Sequence, residues 1–137
     1  MWLEPKAEVH GWPFATNDEE TKGTRWEDFF GSKKMIEVAK LQWSIDCVEL
    51  DQVINQNVNR CLAFNTGTTT AGVEAPPSSR DRFESIITFL EKHGAIPAPL
   101  VCYAGEPPAL MDGYHRVAAL LYLGYPRSHK VPMWIGR

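Results

Sequence analysis

Apolar residues between positions 83 and 135 recur in two different periods, and the changes of period mark out the elements. Phe83, Ile86, Ile87 and Leu90 fall at i, i+3, i+4 and i+7, one face of a helix. Ser78 or Ser79 can cap that helix, with Asp81 three residues after Ser78. Lys92 and His93 suit its last turn, and Gly94 suits the left-handed position that ends it. Pro97 and Pro99 then break the chain before a short apolar strand at 100–103. Gly105-Glu106-Pro107-Pro108 signals a turn into a second strand at 109–111. Residues 114–123 read as a helix stopped by Gly124, and 131–135 as a last strand. Pro132 lacks a backbone N–H, which predicts an edge position for that strand.

Upstream the pattern is weaker. Trp43 to Val48 alternates apolar and polar as a half-buried strand does, and 49–59 predicts a short helix. Asn65 to Gly72, followed by Pro76-Pro77, is small, polar and glycine-rich, so a loop is expected over 65–77. The order β-α-β-β-α-β predicts an α+β fold with a small mixed sheet.

Composition changes the picture mainly at the N-terminus. Residues 1–40 hold Trp2, Trp12, Phe14, Trp26, Phe29 and Phe30 around a charged, turn-forming stretch at 17–23. Such a segment is too short for its own core and too aromatic to stay fully solvated cheaply. It is expected either to pack on a main domain at 41–137 or to serve, through residues 1–34, as an arm that docks a protein partner.

A net charge of −3 excludes a broad basic surface for nonspecific nucleic-acid binding, though not a local basic patch. Cys47, Cys61 and Cys102 are odd in number and widely spaced, which fits reduced thiols better than a disulfide framework or a zinc site. No apolar run approaches the roughly 20 residues that cross a bilayer, and the first residues do not read as a signal peptide. The expectation is a cytoplasmic protein without a membrane partner.

Chemistry concentrates in Asp112-Gly113-Tyr114-His115-Arg116. Nearly every residue of the helix after Arg116 is apolar, so that helix must be buried almost all round. Its polar residues gather at the N-terminal end, where unpaired N–H groups carry about half a positive charge. Two cationic side chains there oppose the helix dipole by about 0.3–1 kcal/mol each, unless an anion is bound between them. Gly113 permits a sharp strand-to-helix turn, and Arg116 offers forked donors for phosphate. The competing reading needs no ligand: Asp112 caps the helix and pairs with Arg116.

The string IPAPLV…ALMDGYHRVAALLYLG…KVPMWIG resembles the ParB/sulfiredoxin superfamily over residues 78–137, and the resemblance extends back to the Trp43 strand. The resemblance implies a nucleotide-binding domain with Gly113, His115 and Arg116 on the phosphates, and Arg82 and Ser85 reaching them from the preceding helix. Tyr114 stands where sulfiredoxins carry the catalytic cysteine, which argues against sulfinic-acid reduction. The helix-turn-helix that follows in chromosome-partitioning ParB proteins is not expected after Arg137. The D-G-x-H-R form is similar to stand-alone ParB-like proteins, including amino-acid kinases and plasmid-borne effectors with ATPase and DNase activity.

The reading that follows is an ATP-binding or other nucleotide-binding enzyme that hydrolyses a phosphoanhydride, and a DNA phosphodiester as a further substrate. Asp112, His115, Arg116 and Glu49 are its candidate catalytic residues. Asp112 is also the candidate ligand for a Mg2+ ion, and Arg82, Ser85, Gly113, His115 and Arg116 would hold the nucleotide. The alternatives are a non-catalytic nucleotide-sensing module that regulates a partner, or a kinase or ADP-ribosyl transferase on the same fold.

Overall fold

The computed structural model describes residues 41–67 and 77–137. The aromatic segment 1–40 and most of the expected 65–77 loop therefore lie outside the described residues. The elements are β1 (Trp43–Glu49), a 3-10 turn (Leu50–Val53), α1 (Gln56–Thr66), α2 (Pro77–His93), β2 (Leu100–Tyr103), β3 (Ala109–Asp112), α3 (Tyr114–Tyr122) and β4 (Lys130–Gly136). They form a mixed α+β fold built on a four-stranded sheet in the order β1-β4-β2-β3. The β1–β4 and β2–β3 pairs are antiparallel, and β2–β4 is parallel.

β4 is central rather than at an edge, and the register explains how a proline is tolerated there. Gln42 and Arg137 exchange both backbone hydrogen bonds, each 3.0 Å. Counting along the β1–β4 register from that pair makes Pro132–Cys47 a non-hydrogen-bonded pair. The proline nitrogen thus faces the β2 side, where pairing begins only at Leu100–Met133. No ladder hydrogen bond is lost. The strand is apolar on both faces and buried from Val131 through Gly136, as a central strand should be.

The helices cover one face of the sheet. Val131, Met133 and Ile135 of β4, with Leu100, Cys102 and Leu110, pack against Val58 of α1, Phe83, Ile86 and Leu90 of α2, and Val117 to Leu120 of α3. The stripe on α2 and the apolar run of α3 thus meet in one core. The opposite face carries Val101 and Met111, with Trp43 and Tyr103 against them. β1 is an edge strand more exposed than its alternation implies, with Ile45 38% exposed.

Helix ends also differ from expectation in two places. Leu50 to Val53 form the 3-10 turn, after which Asn55 caps α1 by accepting from the Val58 N–H at 2.9 Å. That cap lets the helix run on to Thr66, where Gly67 (φ 70°) ends it. α2 starts at Pro77, a residue that costs no hydrogen bond in a first turn, so Ser79 sits inside the helix instead of capping it. Its other end is as expected, with Gly94 left-handed (φ 69°) and donating to the Leu90 carbonyl.

Candidate functional site

The strand-to-helix turn at 112–116 is built from the core outward. Gly113 is the residue before α3, with φ 110°. A Cβ there would meet Leu100 Cδ2 at 2.7 Å, so both the dihedral and the packing require glycine. Its carbonyl accepts the first α3 hydrogen bond, from Val117 N–H at 2.9 Å. The first-turn N–H groups of α3 therefore point along the helix axis from the Gly113 end, as in any helix.

Arg116 lies beneath this turn and is 1% exposed. One guanidinium nitrogen donates to the Ala98 and Pro99 carbonyls, at 3.0 and 2.6 Å. The other donates to Asp112 Oδ2 at 2.9 Å. Two of these acceptors belong to the Pro97–Pro99 segment before β2 and the third ends β3, so the arginine ties both chain segments to the base of α3. Asp112 keeps the ion pair of the ligand-free reading, but its side chain does not cap the helix. Tyr114 is turned back on the fold, its hydroxyl donating to the Leu110 carbonyl at 2.9 Å.

His115 points elsewhere. It is half-buried, and its Nε2 lies 2.7 Å from Ser79 Oγ on α2. Asn65 on α1 donates to the same Ser79 oxygen at 3.3 Å and to the Cys61 carbonyl at 2.9 Å. Side chains from all three helices thus meet in one polar group. Burial first, and then the charges of Arg82 and Arg116, hold the imidazole down at about 4. It is neutral at neutral pH and can accept a proton or hydrogen bond. Arg82 is exposed on α2, near enough for its charge to act on His115.

The other expected residues fall outside this group. Ser85 is exposed on α2, roughly 140° around the helix from the buried stripe at 100° per residue. Glu49 ends β1 and pairs with Lys130 at 3.5 Å, on the sheet face away from the helices by strand alternation. Among the described residues no cluster of three or more His, Cys, Asp or Glu gathers to hold a metal. A Mg2+ ion would reach Asp112 only as one carboxylate added to a nucleotide's own phosphate oxygens.

Sequence reasoning missed Ser79 and Asn65. Extending the Phe83/Ile86/Leu90 stripe back one turn reaches Ser79, a polar residue on a buried face, and that signal was present. Asn65 had none, because it fell in a segment that reads as loop. Compared with protein-family models, curated proteins and solved structures, the chain matches none.

Proposed function

We propose that the protein binds ATP or another nucleotide with its phosphates at the start of α3. The resemblance to the ParB/sulfiredoxin fold suggests the ligand class. The single observation that carries the proposal is the pairing of His115, in the first turn of α3, with Ser79 of α2; the exposed cation Arg82 lies on α2 close enough for its charge to act on that ring. The helix N–H groups and Arg82 supply positive charge, and His115 orients Ser79 beside them. Arg116 acts from below as a positioning residue: its donors fix the turn that aims those N–H groups. Gly113 serves the same turn through its dihedral.

The reaction proposed is hydrolysis of a phosphoanhydride, with a DNA phosphodiester as the second bond of the same chemical class. Charge on the phosphates would be stabilised by Arg82 and the α3 amides. Asp112 is the nearest carboxylate in sequence and would orient water or a phosphate-borne Mg2+ ion. A non-catalytic nucleotide sensor is the second reading, favoured by the Asp112–Arg116 ion pair, which engages one oxygen of that carboxylate.

ATP turnover and plasmid nicking by the full chain, against folded His115→Gln and Arg82→Ala variants, test the proposal. Loss of both activities in either variant supports the enzyme. Binding that is lost in the variants, with no turnover even in the unmodified protein, supports the sensor. Activity and binding unchanged in both variants would overturn the assignment.

A further inference from the structure

The polar group linking the three helices contains a pairing that nucleotide binding alone does not require. Ser79 Oγ and His115 Nε2 are 2.7 Å apart, the separation expected between a nucleophile and its base. The Asn65 amide is oriented by the Cys61 carbonyl, which must face its nitrogen, and that nitrogen also reaches Ser79 Oγ. Ser79 Oγ accepts from Asn65 through one lone pair, and in the Nδ1–H tautomer of His115 its own hydrogen is donated to Nε2, the arrangement the proposal below uses. Asn65 Oδ1 is buried without a partner among the described residues, a cost of about 1–3 kcal/mol. The side chain is therefore held for the hydrogen bonds of its other end.

We propose that Ser79 is a nucleophile, activated by His115 and positioned by Asn65, that accepts a phosphoryl group from the bound nucleotide. This inference rests on the nucleotide reading. Ser79 Oγ touches the ring of the second residue of α3, so a γ-phosphoryl group bound against that ring would come within reach of Oγ. Oγ attacks the γ-phosphorus, forming the Oγ–P bond. The bond from phosphorus to the bridging β–γ oxygen breaks, and ADP leaves with that electron pair. The Ser79 proton passes to His115 Nε2 and from there to solvent. Without ligand, Arg82 and Arg116 disfavour the imidazolium; the negative charge of a triphosphate offsets them and makes His115 a better base as the substrate arrives. The product is a phosphate monoester formed once per chain, separate from the repeated transfer to water in the hydrolytic reading; it hydrolyses extremely slowly unless catalysed and so accumulates on the protein.

The test is to incubate the full chain with ATP and Mg2+, then to measure intact mass and map the modified peptide, while calorimetry follows ATP binding in parallel. The expected result is one phosphoryl group on Ser79. It is absent from Ser79→Ala and forms about 100-fold more slowly in His115→Gln. Binding of ATP with no phosphate at Ser79, or with phosphate only at another residue, overturns this proposal and leaves the nucleotide reading standing. Absence of ATP binding overturns both. Mapping the unmodified chain decides the matter even where a variant fails to fold.

Discussion

At the scale of single residues, the two cations of the D-G-x-H-R string have opposite fates. Arg116 is buried and bonded to two carbonyls and a carboxylate, while His115 is uncharged and turned toward Ser79. Removing the arginine head group leaves Asp112 and both carbonyls without their donor in a low-dielectric site. Arg116→Met is expected to lower the unfolding free energy by about 3–5 kcal/mol. Urea denaturation checks this, and a loss below about 1 kcal/mol would mean the guanidinium is not structural. His115 has a linked pH signature. Its folded value near 4 lies below the ordinary 6.5, so the unfolded chain binds the extra proton between those values. The contribution of neutral His115 to stability is complete above about pH 6.5 and is lost as pH falls toward 4. Thermal melts of the wild type and His115→Gln should therefore keep a constant separation above pH 7, and that separation should shift steadily in favour of the variant below 6.5. A pH-independent difference would contradict the burial of the ring.

At the scale of elements, the β3–α3 turn and β2 make separate predictions. Gly113→Ala places a Cβ against Leu100 at a φ of 110°, and a strain of about 1–3 kcal/mol is expected, read as a lower denaturation midpoint. In β2, burial pushes the Cys102 thiol up to about 12, whereas Cys47 is exposed on β1. A disulfide-exchange reagent at pH 8 should modify Cys47 in the native protein and Cys102 only on unfolding. Rapid native modification of Cys102 would show that β2 opens freely.

The elements themselves were mostly legible. Phe83, Ile86 and Leu90 announced α2 because helical burial repeats every three to four residues, and Gly94 announced its end. What local pattern could not convey was pairing. Pro132 signals an edge when read alone, but only the register with Cys47 shows that its missing N–H falls just before β2 begins. The site was half legible for the same reason. Asp112 to Arg116 are contiguous and stood out, whereas Ser79 and Asn65 join His115 only through the packing of α3 between α1 and α2.

At the scale of the molecule, the helices occupy one face of a mixed sheet; α3 packs against both other helices, and His115 in its first turn bonds to Ser79 of α2, which Asn65 of α1 also reaches. No described helix is long and apolar enough to cross a membrane. Polar side chains from all three helices meet beside the first turn of α3, where phosphate binding is proposed. Calorimetric titration of the full chain with ATP, repeated with Arg82→Ala, tests that claim most directly. Saturable binding is expected, weakened by about tenfold or more in the variant, the worth of one charge-assisted contact. ATP that fails to bind, or that binds Arg82→Ala as tightly as the unmodified protein, would contradict it.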